Sequence, residues 1–258
     1  MTSRRLTARS VLVSTLLGVS PPELPTRSLI GTAELLGVAA GTARVALSRM
    51  VAAGEAEATD GGYRLTSPTL LARQARQSLS RSGATAAWDG TWRTAVVTGE
   101  ARPAAHRADL RAAMHALRYG ELREGVWLRP TNLPGGALLD AERTAADQCV
   151  VLTSTVDDPV ALARSLWDLD AWATRARSLV EDLERVGRPL RDGDPSALAE
   201  GFVLSASVLR HVQADPLLPR QLLPPDWPGT DLRRAYDRYD ADFRSTLAAW
   251  QRAHHPRR

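Results

Sequence analysis

The stretch Gly37-Val38-Ala39-Ala40-Gly41-Thr42-Ala43-Arg44-Val45-Ala46-Leu47-Ser48-Arg49-Met50 constrains this chain more than any other. It reads as the turn and second helix of a helix-turn-helix. Ala43, Ala46, Leu47 and Met50 fall at i, i+3, i+4 and i+7 and therefore share one helical face, which can pack on a preceding helix. Thr42, Arg44, Val45, Ser48 and Arg49 fall on the remaining faces. Such a surface suits a major groove: arginine pairs with guanine, hydroxyls reach bases or phosphates, and valine touches a thymine methyl.

The flanking residues read as a winged helix over residues 7–83. Thr7 caps a first helix that ends near Gly18. The proline-rich link Pro21-Pro22-Glu23-Leu24-Pro25 leads to a second helix over Thr26–Leu36, stopped by Gly37. The recognition helix runs from Gly41 to Ala53. Asp60-Gly61-Gly62 between extended flanks then marks a hairpin turn. This hairpin is the wing, and its Arg64 joins the candidate DNA contacts. An Arg-rich helix over Thr69–Ser82 and a linker at Ser80–Thr85 close the segment. Ser10–Gly18 follows Arg4, Arg5 and Arg9, as in a signal peptide, but Pro21-Pro22-Glu23 stands where a small-residue cleavage site belongs, so a buried helix is expected.

Charge supports a nucleic-acid-binding end. The net charge is +4, yet the residues before Gly83 carry ten arginines against five acids, or +5. Every one of the 33 basic residues is arginine, so each basic contact is planar, forked and permanently charged. Cys149 is the single cysteine, which excludes an intrachain disulfide and a cysteine-based zinc site. No apolar run reaches the length of a membrane span, and a cytoplasmic protein is expected.

Residues 88–167 alternate strand and helix. Thr91–Thr98, Leu122–Arg129 and Cys149–Thr155 read as strands; Pro103–Tyr119 and Pro159–Leu166 read as helices. A ferredoxin-like α+β domain fits this order. Residues 168–252 read as helical: Leu169–Val186, stopped by Gly187 and Pro189; Pro195–Val212; a proline-broken loop over Asp215–Pro228; and Thr230–Gln251. The expected fold class is thus α+β multidomain, with a winged helix at 1–83, a ferredoxin-like central domain at 84–167 and a helical C-terminal domain at 168–258.

The chain offers no catalytic or metal motif. His106, His115, His211, His254 and His255 make no H-E-x-x-H pattern, and neither G-x-S-x-G nor a P-loop occurs. Trp88, Trp92, Trp127, Trp167, Trp172, Trp227 and Trp250 mostly sit in apolar surroundings, where packing is the default role.

Three stretches together resemble the PaaX family of bacterial transcriptional repressors. The first is Arg9–Gly18 with Leu47-Ser48-Arg49-Met50. The second is Trp88-Asp89-Gly90-Thr91-Trp92-Arg93 with Tyr119–Pro130. The third is Asp215-Pro216-Leu217-Leu218-Pro219 with Leu222–Gly229. They occur in the family's order and span nearly the whole chain. The resemblance implies a homodimer that binds a double-stranded DNA operator and releases it on binding an acyl-coenzyme A effector. For the best-known members the effector is phenylacetyl-coenzyme A. No cofactor is implied. Trp127 between Arg123 and Arg129 is then the candidate effector pocket: an aromatic acyl group stacks on the indole and phosphates pair with the arginines. The chain departs from the family's pattern at Glu55-Ala56-Glu57, where a large apolar or aromatic pair is expected. Ala40 and Gly41 give the recognition helix no strong cap, and Glu55, Glu57 and Asp60 make the wing acidic.

The central domain of the family also resembles the small ferredoxin-like fold of CRISPR-associated nucleases, which hold a metal on an acid at the end of the first strand. Here Glu100 is the one nearby acid, in a loop; Asp157, Asp158, Asp168 and Asp170 are the other candidates. A non-catalytic domain is expected. The competing readings are an enzyme, such as a metal-dependent nuclease targeted by a winged helix, and a protein-interaction module that uses the winged helix without DNA.

Overall fold

The computed structural model describes residues 7–99, 103–136 and 138–254. They pack as two compact units. One holds the described residues up to Gln74 together with Val180–Val208 and the chain from Arg234; the other holds Ala75–Leu179 and Leu209–Arg233.

The first unit begins with α1 (Ala8–Leu17), capped by Thr7, whose Oγ1 accepts the Ser10 N–H at 3.1 Å. Its apolar residues Val11, Leu12 and Leu16 are fully buried, as the buried-helix reading requires. Then come β1 (Glu23–Pro25), α2 (Thr26–Leu35) and α3 (Ala40–Ala52). Gly37, at φ +77°, makes the turn between α2 and α3, a left-handed position that glycine takes without a Cβ clash. Past α3, Gly54 adopts φ +68° and the Glu55 N–H bonds the Met50 carbonyl at 2.9 Å, closing the helix.

The wing follows as β2 (Ala56–Thr59) and β3 (Gly62–Leu65), and then α4 (Pro68–Ser82) begins. The sheet has the order β1-β3-β2, all antiparallel, with Glu23 and Glu57 both opposite Arg64. The stretch expected as a proline-rich link thus contributes a strand. Three residues are too short to show a period, and only the pairing with β3 reveals them as one. Gly62 makes that pairing possible, since a Cβ there would lie 2.4 Å from the Leu24 carbonyl oxygen. Leu29, Ala33, Ala43, Leu47 and Met50 join α1 in one core, which Phe202 also packs against.

The chain after residue 168 supplies three long helices: α8 (Leu169–Arg191), α9 (Leu198–Gln213) and α10 (Gly229–His254). Within the first unit the Thr246 hydroxyl donates to the Leu190 carbonyl at 2.7 Å, and Arg244 donates to the Gly18 carbonyl at 2.6 Å. Gln251 donates to the Ser28 carbonyl and to Thr32 Oγ1, each at 3.2 Å. α8 corrects an expectation, for it runs through Gly187 and Pro189 to Arg191. Burial of Val186 and Leu190 outweighs the one backbone hydrogen bond that a proline in the final turn removes.

The second unit contains β4 (Trp92–Val97), α5 (Ala104–Ala116), β5 (Gly120–Arg123), β6 (Val126–Pro130), α6 (Leu139–Gln148), β7 (Cys149–Ser154) and α7 (Pro159–Leu166). The sheet order β5-β6-β4-β7, antiparallel throughout, is that of a ferredoxin-like βαββαβ domain. Two details differ from the sequence reading. The single strand expected over Leu122–Arg129 is a hairpin that turns at Gly125, φ +79°. The unanticipated α6 precedes β7. One sheet face packs Ala95 and Trp127 against Leu110 and Met114 of α5 and Ala145 of α6. The other packs Trp92 and Leu128 against Ala163, Leu169, Leu218 and Leu222.

Candidate nucleic-acid interface

α3 divides as its spacing predicts. Ala43, Leu47 and Met50 are buried in the core, while Thr42, Arg44, Val45, Ser48 and Arg49 are exposed. Val45 is 52% exposed, a large apolar side chain left in water on a helix that has a core available to it. The helix begins after Ala39 with no side-chain cap. Its first amides therefore stay open to an outside acceptor, and together with the helix dipole they favour an anion such as phosphate.

A groove of about 480 Å³ runs beside this surface, lined by Thr26, Arg27, Ile30 and Glu34 of α2 and by Ala40 and Arg44 of α3. Arg27 is exposed in the first turn of α2. The sequence reading did not single it out, because it belongs to the groove only through the packing of α2 on α3.

Arg64 is exposed on β3 but is not free. It pairs with Glu23 at 2.7 Å and with Glu57 at 3.1 Å, the two residues opposite it in the sheet. The hydrogen bond from Arg64 holds the Glu23 carboxyl below the usual carboxylate range, with Thr59 adding to the effect. The wing therefore presents a neutralised arginine. Glu55, the other acid of the departure, is held by Arg9 at 2.5 Å.

The candidate effector residues are placed differently from one another. Trp127 is only 2% exposed and forms part of the sheet core, with the His115 ring edge-on at 5.5 Å and the Arg111 guanidinium 5.9 Å from its centroid. Arg129 is buried over the Tyr119 ring, at 5.3 Å. Arg123 is exposed on β5. Trp127 and Arg129 share a sheet face, but the indole is occupied by its own core.

Two of the acids weighed as metal ligands serve as helix caps. Asp158 accepts the Ala161 N–H at 2.9 Å and opens α7; Asp168 accepts the Ala171 N–H at 2.9 Å beside the start of α8. Glu100 lies outside the described residues. Among the described residues no three histidine, cysteine or acidic side chains gather as a metal site. Nor, among them, is any helix long and apolar enough to cross a membrane.

Residues 7–68 match the sequence profile of PaaX-like protein, residues 85–165 that of the PaaX protein central Cas2-like domain, and residues 167–252 that of the PaaX-like protein C-terminal domain. The structure is similar to that of the uncharacterized protein Rv0674 from Mycobacterium tuberculosis. The two share 41% sequence identity with a TM-score of 0.74, over 95% of this chain and 99% of that one. No curated protein sequence matches the chain significantly.

Proposed function

The chain belongs to the PaaX-like family, whose members are generally transcriptional regulators of phenylacetate catabolism, and on that premise we propose that it binds a double-stranded DNA operator through α3 as a repressor in the cytoplasm. The observation that carries the reading is the exposed arc Thr42, Arg44, Val45, Ser48 and Arg49 opposite a buried stripe. Arginines at two positions of the arc can form bidentate contacts to guanine, and Val45 supplies an apolar contact for a thymine methyl. The uncapped start of α3 and Arg27 in the adjoining groove suit phosphates, which position the helix without reading sequence. Arg64, tied to two carboxylates, is assigned at most a minor part.

A homodimer accounts for operator recognition, because two recognition helices then meet two half-sites about one DNA turn apart. The second copy is assigned to the β7 edge of the central sheet. β7 is an edge strand on which Val150 and Leu152 are 49% and 51% exposed, and the register places them on one face with Val96 and Val126. Natural edge strands are usually guarded by charges, proline or bulges. Cys149-Val150-Val151-Leu152-Thr153-Ser154 carries no charge or proline. An antiparallel edge is self-complementary, so a two-fold axis can pair it with its own copy.

An aryl-coenzyme A thioester such as phenylacetyl-coenzyme A is the proposed effector, acting through a difference in affinity between the DNA-competent and DNA-incompetent dimers. The reading is tested by titrating the full chain against DNA from upstream of its own and adjacent genes, at several salt concentrations, with and without acyl-coenzyme A compounds. A fragment bound far more tightly than random DNA supports it. Equal, salt-labile binding to every fragment contradicts it.

A further inference from the structure

A second cluster in the ferredoxin-containing unit is built around buried charge. Arg118 follows α5 with φ 66°, a left-handed conformation unusual for a side chain that is not glycine. Its guanidinium donates to the Gln213 carbonyl, to the Asp215 carbonyl at 2.8 Å and to Ser80 Oγ. Arg233 of α10 donates Nε–H to the Ser80 carbonyl at 2.9 Å, and Nη1–H to Asp215 Oδ2 at 2.8 Å and to the Gly229 carbonyl at 3.0 Å. Asp215 is 2% exposed, and its other oxygen accepts the Leu217 N–H at 2.9 Å.

The cluster thus holds two guanidiniums and one carboxylate, which pairs with Arg233, while Arg118 reaches only the main-chain carbonyl of Asp215. The remaining positive charge has no counter-charge in the ion pairs of the described residues, and an uncompensated buried charge is costly. Arg233 Nη2 is shielded from solvent and has no hydrogen-bond partner. Burial also pushes the Arg118 guanidinium down to about 10, with the second guanidinium adding to that effect and Asp215 opposing it.

The cluster borders a cavity of about 350 Å³ lined by Thr85, Asp215, Arg220, Trp227, Thr230 and Arg233 among others. That size lies at the small end of ligand pockets, roughly 300–1,000 Å³. Trp227 is braced from behind: it stacks on Trp172 at 4.5 Å, which stacks on His211 at 4.5 Å. Two glycines let the backbone close on the guanidinium. A Cβ at Gly83 would lie 2.7 Å from Arg233 Nε. One at Gly229 would lie 2.6 Å from Trp227 Nε1 and 3.2 Å from Arg233 Nη1.

We propose that this cavity binds a small organic anion, whose carboxylate or phosphate oxygens are received by Arg233 and Arg220 while its apolar part lies against Trp227. The anion supplies the counter-charge that the Arg118–Asp215–Arg233 cluster lacks. Use of the site to control DNA binding rests on the regulator reading above; anion binding itself does not. The site is separate from Trp127 and Arg129, whose side chains are buried in or beside the sheet core.

The test is calorimetry and tryptophan fluorescence on the full chain, with phenylacetate, inorganic phosphate and coenzyme A as separate probes. Saturable binding of at least one probe is expected, and the probe that binds tells whether a carboxylate or a phosphate is taken. Arg233→Gln should weaken that binding at least tenfold. Because Arg233 also holds Asp215, the exposed Arg220→Gln provides a second variant that leaves the buried cluster intact; a several-fold loss is expected there. Arg143→Gln, at an exposed position of α6 outside the cavity, should bind the probe as the parent does. No binding of any probe at millimolar concentration overturns the proposal, as does unchanged affinity in both Arg220→Gln and Arg233→Gln. Operator binding without probe is measured on the same preparations. Its absence with anion binding intact would remove the regulator reading and leave the site.

Discussion

At the scale of single residues, Arg64 shows how a plausible DNA contact can be consumed by its own fold. Glu23 and Glu57 reach it only because β1 and β2 flank β3, a pairing that the sequence does not display. Replacing both acids by glutamine frees the guanidinium and removes two charges that repel phosphate. DNA affinity of Glu23→Gln/Glu57→Gln is expected to rise several-fold at low salt, with a steeper salt dependence in a binding titration; unchanged affinity would show that the wing stays off the DNA. His211 gives a pH prediction. Burial lowers the pKa of this imidazole below 6.5, Arg175 adds to the lowering, and its hydrogen bond to the Trp172 carbonyl and the charge of Asp215 act the other way. Below pH 6.5 the unfolded chain therefore takes up a proton more readily than the folded one, and stability falls as pH drops through the range between the two pKa values. His211→Gln should flatten that fall in denaturant melts between pH 7 and 5. An undiminished slope would assign it to other groups.

At the scale of elements, α3 was legible because a helix with one buried stripe repeats its signal at every turn. The same holds for α1, α2 and the wing hairpin, where caps and Asp60-Gly61-Gly62 mark the ends. β1 and the β5–β6 turn were not legible, since three- to five-residue strands gain their identity from partners. α6 has only Ala145 fully buried and hence almost no apolar stripe to read. The effector residues illustrate the same limit: the sequence places Arg123, Trp127 and Arg129 close together, but only the register tells that the indole faces α5. Gly83, which reads as linker punctuation, in fact makes room for Arg233. For α3 itself, Leu47→Ala removes a fully buried side chain. It should lower unfolding stability by about 2–5 kcal/mol in chemical denaturation. A cost below that range would mean the stripe is not what anchors the helix.

At the scale of the whole molecule, the proposed regulator combines DNA reading, pairing of two copies and response to a ligand in different segments of one chain. The pairing claim is open to a simple check. Val150→Asp/Leu152→Asp places charges on the exposed edge strand β7 without touching α3. Light scattering is expected to give a dimer for the parent and a monomer for the variant, and operator affinity should fall at least tenfold while binding to random DNA is largely kept. A double variant that stays dimeric would move the interface elsewhere. The central claim, that α3 reads bases, is tested most directly by comparing the parent chain with Arg44→Ala and Arg49→Ala on operator and random DNA at one salt concentration. The account predicts that at least one variant loses about 1–3 kcal/mol on the operator and much less on random DNA, as a bidentate guanine contact requires. Operator binding left unchanged in both variants would contradict it.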